Sequence, residues 1–386
     1  MQSEIKFPIQ MYDPTRDYLK NKKEFDITIN NIINAGNFIN GPQVTQLEGI
    51  LEQYTSAKYC ITCANGTDAL FISLLALNIG NGDEVITVAH TWISTAETIA
   101  MTGAKPVFVD ISAVNFNIDT SKIVERITKN TKAILFVSLY GLMPDLEQIK
   151  DIADKYNLYV IEDGAQSFGA KYKESRSCSC YYTNIATSSF FPSKPLGCWG
   201  DGGAMFTNDD QLAIKLRSIK SHGGVERFKH KYIGVNSRLD TLQAGILLVK
   251  MKHFDQYLIT RNRCADYYSE KLAHLNQVNQ INQLTLPMYN RQEYNHSWAQ
   301  YSILAENLLV RNSIVEHLKN NKINVSIFYP IGLHRQECFE YLNVDESKLE
   351  VTNNVCDRVF NLPCYAEITI EEQDYIINIV CDFFNK

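Results

Sequence analysis

AILFVSLYGLMPDLEQIKDIADKYNLYVIED, residues 133–163, decides the fold. Two continuous apolar runs, Ala133 to Ser138 and Leu158 to Asp163, flank a segment from Asp145 to Tyr156 whose apolar residues recur at helical spacing. An uninterrupted apolar run of that length reads as a strand buried on both faces, and an amphipathic helix between two such strands reads as a crossover unit of a parallel sheet. Working towards the N-terminus, Pro106 to Asp110, Glu84 to Val88 and Tyr59 to Thr62 read as further strands. Ser121 to Thr128, Thr91 to Met101, Ala69 to Leu77 and Gln43 to Tyr54 read as helices between or before them, and Phe38 to Pro42 as a turn. The alternation predicts an α/β fold with a mainly parallel sheet covered by helices on both faces.

Towards the C-terminus a long helix follows Arg238 and runs through Met251. Beyond about residue 260 the texture becomes mixed, with amides at Asn276, Asn279 and Asn282, and it closes on a helix from Glu371 to Phe384. This divides the chain into an N-terminal arm and helix over 1–35, a large domain over 36–258 and a smaller C-terminal α+β domain over 259–386. A chain of 386 residues with 45% hydrophobic and 21% charged residues can bury cores of that size. Its formal net charge of -6 opposes general nucleic-acid binding, which needs a basic face. No apolar run approaches a membrane span and the first residues lack an apolar signal core, so the expectation is a soluble, cytoplasmic protein. The ten cysteines are scattered and read as reduced thiols. Cys60 and Cys63 form a Cys-x-x-Cys with no second ligand pair, and Cys178 and Cys180 are too close together for a zinc knuckle, so no metal is expected.

The chemistry concentrates between Leu158 and Gly203. The last strand of the opening stretch ends in Glu162-Asp163, and carboxyl ends of parallel strands face the ligand crevice. About thirty residues on, Lys194 follows Ser-Phe-Phe-Pro-Ser and precedes a glycine-rich turn. A lysine held among apolar residues loses preference for its charged form and becomes a usable amine nucleophile. A nucleophilic lysine plus an aspartate is the pair that a pyridoxal phosphate enzyme requires, the first to form a Schiff base and the second to keep the pyridine nitrogen protonated. Singly, such residues are more often a surface charge and a cap. Three further features coordinate with them. Asn65-Gly-Thr-Asp68 opens an apolar helix, where free N–H groups can receive a phosphate, although Thr67 or Asp68 could be a plain cap. Trp92 follows a strand end and can stack on a cofactor ring, or be core. Ser189 lies five residues before Lys194 and is a second phosphate donor.

These residues, with Gly200-Asp-Gly-Gly203 and Gly234-Val-Asn-Ser-Arg-Leu-Asp240, resemble the DegT/DnrJ/StrS sugar aminotransferases over nearly the whole length. The resemblance implies the aspartate aminotransferase fold, that is, PLP-dependent transferase fold type I, with pyridoxal 5'-phosphate as cofactor. It implies Lys194 as Schiff-base lysine and later proton-shuttling base, Asp163 as partner of the ring nitrogen, and Gln166 near the cofactor's 3-hydroxyl. Gly66, Thr67 and Ser189 resemble the phosphate cup, and Trp92 the stacking residue. Asn236 matches an asparagine given to the phosphate by a neighbouring subunit, and Arg238 a residue near the substrate, which implies a homodimer with shared sites. His222, His334 and Tyr329 are further candidates for substrate contact.

Within that family, Ser177-Cys178 and the run Ser189 to Gly203 are most similar to enzymes that aminate a UDP-linked 3-keto-hexuluronic acid for bacterial surface polysaccharide. The implied reaction moves an amino group from L-glutamate to a nucleotide-linked ketosugar in two half-reactions. One departure is Ile327-Phe-Tyr-Pro330, where those enzymes carry His before Tyr-Pro; Phe-Tyr-Pro resembles enzymes that aminate carbon 4. Some sugar dehydratases of the same fold have histidine in place of the lysine, which Lys194 argues against, and Lys194, Asp163 and Gln166 together argue against a ligand-sensing relative. No early Gly-x-Gly-x-x-Gly and no Walker A loop is present. Six Lys/Arg against Glu226 between Lys215 and Lys231 could meet a diphosphate, but such runs more often face solvent.

Overall fold

The computed structural model describes residues 5–278 and 284–385. Seven strands form the main sheet: β1 (Tyr59–Cys63), β2 (Glu84–Val88), β3 (Lys105–Val109), β4 (Thr131–Val137), β5 (Tyr159–Asp163), β6 (Ile185–Ser189) and β7 (Gly203–Thr207). Their spatial order is β1-β7-β6-β5-β4-β2-β3. β3, β2, β4, β5 and β6 run parallel, while β7 runs antiparallel to β6 and β1.

Strand alternation sorts the side chains to two faces. Ala133, Leu135 and Ile161 join a core with helices α4 (Gly66–Ala76), α5 (Ser94–Met101) and α7 (Asp210–Ile219). Ile134, Phe136 and Val160 join the opposite core, which takes in Leu146, Ile149 and Ala153 of α6 (Leu146–Tyr156). On that side too, β7 and β1 present Phe206 and Cys60 to α3 (Pro42–Thr55) and α8 (Thr241–Met251). Cys60 and Cys63 therefore fall into different cores on opposite sheet faces, and their thiols do not converge. Burial pushes both thiols up, Cys63 to about 12.

The crossover of residues 133–163 forms as its pattern requires. Asp145 caps α6 by accepting from Gln148 N at 3.1 Å, and Asn157 closes it in the left-handed region. The expected helix over Ser121 to Thr128 does not form. Two single 3-10 turns, Thr120–Lys122 and Val124–Arg126, stand there instead. Only Ile123 is fully buried, Lys122 reaches back to Asp110 at 3.2 Å, and so short a segment lacks the apolar face that would stabilise a helix.

The long helix α9 (Phe254–Val278) spans two cores. Phe254 and Tyr257 pack with α3 and α8, whereas Cys264, Ala265, Tyr268 and Leu272 pack into the C-terminal core. That core is built on the antiparallel strands β8 (Leu284–Thr285), β9 (Tyr301–Ala305) and β10 (Val359–Leu362), with α10 (Leu308–Asn320) and α11 (Ile370–Phe384) against them. The N-terminal arm enters it through Ile9, which bridges to Ile323, and then forms α1 (Pro14–Lys20) and α2 (Lys22–Ala35). Asn279 and Asn282 of the amide-rich stretch lie outside the described residues. No described helix is long and apolar enough to cross a membrane.

Candidate active site

Asp163 ends β5 on the face of α5, and that helix supplies its nearest hydroxyl. Thr95 Oγ1 donates to Asp163 Oδ2 at 2.9 Å, and Ala165 N donates to Oδ1 at 3.2 Å. Burial nevertheless holds the Asp163 carboxyl above the usual carboxylate range, against the pull of Thr95, Ala165 and the charge of Lys194. Lys194 sits in the turn after β6, its backbone N–H donating to Phe191 O at 2.9 Å. Burial also lowers its ammonium pKa, and the nearby Asp163 charge opposes that shift. Both groups are pushed towards neutrality, the amine into its nucleophilic form and the acid into readiness for a cationic partner.

Gln166, buried one turn beyond Asp163, is held at both ends. Its Oε1 accepts from Tyr140 N at 2.8 Å and its Nε2 donates to Tyr329 OH at 3.1 Å. Tyr329 comes from the C-terminal unit, and its phenol is pushed up by burial and by the Asp163 charge. Trp92 lies 58% exposed beside it, ring centroids 6.3 Å apart.

At the start of α4, Asn65 Oδ1 accepts from Asp68 N at 2.8 Å, so Asn65 is the cap. The first-turn amides at Gly66 and Thr67 have no intrahelical partner, as at any helix start. Gly66 presses on Ser189, and a Cβ at Gly66 would lie 2.7 Å from Ser189 Cβ. Thr67 Oγ1 pairs with Ser94 Oγ at 2.7 Å. The fold thus gathers Gly66, Thr67, Trp92, Asp163, Gln166, Ser189, Lys194 and Tyr329 at the carboxyl ends of the parallel strands.

Three other candidates sit on the segment after α7. His222 and Asn236 are exposed at the base of the hairpin formed by Gly224–Glu226 and Lys229–His230, whose Phe228 is 83% exposed. Ser237, between Asn236 and Arg238, accepts from Ala64 N at 3.0 Å, which pins the segment beside the start of α4. His334 is buried beside Thr352 and feels the charges of Arg335, Glu346 and Asp110, none of them in the Lys194 group. Thr95, Ser94, His90 and Tyr140 were not singled out from sequence. The available signal was position, since His90 and Tyr140 follow the ends of β2 and β4 and Ser94-Thr95 open the next helix.

The profile of the DegT/DnrJ/EryC1/StrS aminotransferase family matches residues 20–381. The chain belongs to that family. It is 43% identical to the UDP-2-acetamido-2-deoxy-3-oxo-D-glucuronate aminotransferase of Pseudomonas aeruginosa, over 97% of this chain and 98% of that protein. It is 36% identical to the UDP-N-acetyl-3-dehydro-alpha-D-glucosamine 3-aminotransferase of Acidithiobacillus ferrooxidans, over 96% and 97%. The NtdA structure of Bacillus subtilis, solved with the cofactor PMP, superposes with a TM-score of 0.89 at 31% identity, covering 100% of this chain and 87% of that one. The protein is a PLP-dependent sugar aminotransferase of fold type I. The residues present fit the cofactor: a buried acid with few donors suits a protonated ring nitrogen, a desolvated lysine suits an aldehyde, and the bare Gly66 lets the helix start approach a phosphate beside Ser189.

Proposed function

We propose that the protein aminates carbon 3 of a UDP-linked 3-ketosugar, with L-glutamate as amino donor, in the synthesis of a surface polysaccharide such as lipopolysaccharide. The observation that carries the reaction is the pairing of Lys194 and Asp163, each shifted towards neutrality by burial and each feeling the other's charge. The names of the two relatives, both concerned with a UDP-linked 3-oxo or 3-dehydro sugar, support the substrate.

Pyridoxal phosphate, when bound, supplies an aldehyde that takes up amino groups and a ring that accepts electron density from a carbon losing its proton. Lys194 Nζ would be the nucleophile that holds the aldehyde. With the amino donor bound, the neutral amine of Lys194 would be the base that moves a proton from the donor's α-carbon. The reverse transfer serves the sugar half-reaction. Asp163 would hold a proton at the ring nitrogen, and Thr95 Oγ1, donating to Oδ2, keeps the carboxylate aimed. The Gly66 and Thr67 amides and the Ser189 hydroxyl would hold the phosphate. Trp92 would cover the ring face, Gln166 would bind the ring oxygen, and Tyr329, beside Gln166 and Trp92, would stand between the ring and the incoming sugar.

His222 and Asn236 are exposed and Arg238 is half-buried beside them, so we assign the three to the site of a second subunit in a homodimer. His334, buried beside Thr352, is assigned to substrate contact on the family resemblance. The division into a large unit over 36–258 and a small one over 259–386 is supported by the two cores that α9 joins. Phe328 before Tyr329 favours amination at carbon 4 as the second reading.

A panel of UDP- and dTDP-linked 3- and 4-ketosugars with L-glutamate tests this, the amino position being read by NMR. A 3-amino UDP-sugar is the expected product. A 4-amino product overturns the position, and no amination of any member overturns the substrate class.

A further inference from the structure

A chain of hydrogen bonds beneath the site has only one consistent direction. Tyr140 OH lies within hydrogen-bonding distance of Phe328 O and 2.8 Å from His90 Nε2. A carbonyl oxygen can only accept, so the single phenolic proton goes to Phe328, and His90 must donate from Nε2. Burial keeps His90 neutral, with its pKa lowered to about 3, so its Nδ1 is an acceptor. The partner of Nδ1, 3.3 Å away, is Cys356 Sγ, a thiol that burial raises to about 12 and so keeps protonated. The order is Cys356 S–H to His90, His90 Nε2–H to Tyr140, and Tyr140 O–H to Phe328.

The backbone of Tyr140 completes a second arm. Tyr140 N donates to Gln166 Oε1, which turns the amide nitrogen of Gln166 to Tyr329 OH. The Tyr329 oxygen therefore accepts from Gln166 and its own proton remains to be donated. Tyr329 stands between Trp92, Gln166 and the charge of Asp163, so that proton faces the cofactor's place. Tyr140 adopts φ 58° and ψ 0°, a left-handed conformation uncommon for a bulky residue and kept where surrounding contacts over-determine it. Those contacts come from both units, since Phe328 and Cys356 belong to the C-terminal part of the chain and His90 and Tyr140 to the large sheet.

We propose that His90 and Tyr140 are positioning residues that hold Gln166 and Tyr329 as hydrogen-bond donors toward the cofactor ring, so that the large unit sets the direction of a tyrosine supplied by the small one. The inference rests on the cofactor lying at Lys194 and Asp163, and not on which sugar is used.

The test compares the PLP-loaded enzyme with His90→Phe, His90→Gln and Tyr140→Phe, after circular dichroism has checked the fold. His90→Gln keeps an N–H donor and a carbonyl acceptor. In His90→Phe and Tyr140→Phe the visible band of the bound cofactor should move with no substrate present. In the same variants kcat should fall about tenfold with KM for L-glutamate little changed, the loss expected for one oriented hydrogen bond. His90→Gln should lie closer to the native enzyme on both measures. An unmoved band in folded Tyr140→Phe, or a His90→Gln no better than His90→Phe, overturns the proposal. If His90→Phe does not fold, Tyr140→Phe alone decides. Because the spectrum needs no sugar, failure of the UDP-ketosugar reading leaves this result intact, whereas a native protein with no band overturns both.

Discussion

The two faces of β5 carry adjacent carboxylates with opposite fates. Glu162 points into the face of α6, 2% exposed, and is saturated with donors. Ser177 Oγ lies at 2.6 Å, Cys178 N at 3.0 Å, Ser138 Oγ at 3.1 Å and Ser167 Oγ at 3.4 Å. Asp163 points to α5, 5% exposed, with one hydroxyl and one amide donor and a lysine's charge nearby. Burial raises the pKa of both. The difference lies in what remains unsatisfied. Glu162 is fully used in tying the 167–178 loop to the sheet, while Asp163 keeps capacity for a further cationic partner.

The largest expected effect separates the two directly. Asp163→Asn should lower kcat roughly 10²–10³-fold, the range for removing one pre-oriented electrostatic partner, while the cofactor-free protein keeps its urea midpoint or gains. Glu162→Gln should do the reverse. An amide cannot accept from four donors, so stability should drop by about 1–3 kcal/mol in urea unfolding while kcat changes less than about tenfold. If both variants lose activity equally, the distinction between the faces is wrong.

Thr95→Val sharpens the picture. It keeps the shape and removes one of two donors on Asp163, so kcat should fall by roughly tenfold, measured with saturating cofactor. The smallest effect is in the pH dependence of the cofactor-free protein. An acid whose folded pKa is raised binds more protons folded than unfolded, so its contribution is fully present below the ordinary carboxylate value and is lost as pH rises through the folded value. Urea midpoints taken between about pH 4 and pH 8 should therefore fall less steeply with rising pH in Asp163→Asn than in the native protein. A steeper fall would contradict the buried, underfilled state of Asp163.

Much of the fold was legible because it rests on short-range pattern. Apolar runs at 84–88, 106–110, 133–138 and 158–163 became β2, β3, β4 and β5 within a residue or two. The same reading failed at Ser121 to Thr128, where Ile123, Val124 and Ile127 mimic a helical stripe but only Ile123 is fully buried, Ile127 being half-buried against the same core and Val124 exposed. Asp163, Lys194, Gln166 and Ser189 were legible because they lie in one distinctive run of residues.

What the sequence alone determined is the chemistry: an amine in apolar surroundings, an acid at a strand end and a glycine turn before a helix, each set by residue type and local periodicity. The tertiary structure decided which groups serve those residues. Thr95 reaches Asp163, and Tyr140 reaches Gln166 and Phe328, only because β2, β4 and β5 become neighbours through crossovers and the C-terminal unit folds back on their ends. Contacts across 68 or 188 residues leave no mark in local periodicity, since a hydrogen bond depends on distance and direction in space and not on separation along the chain.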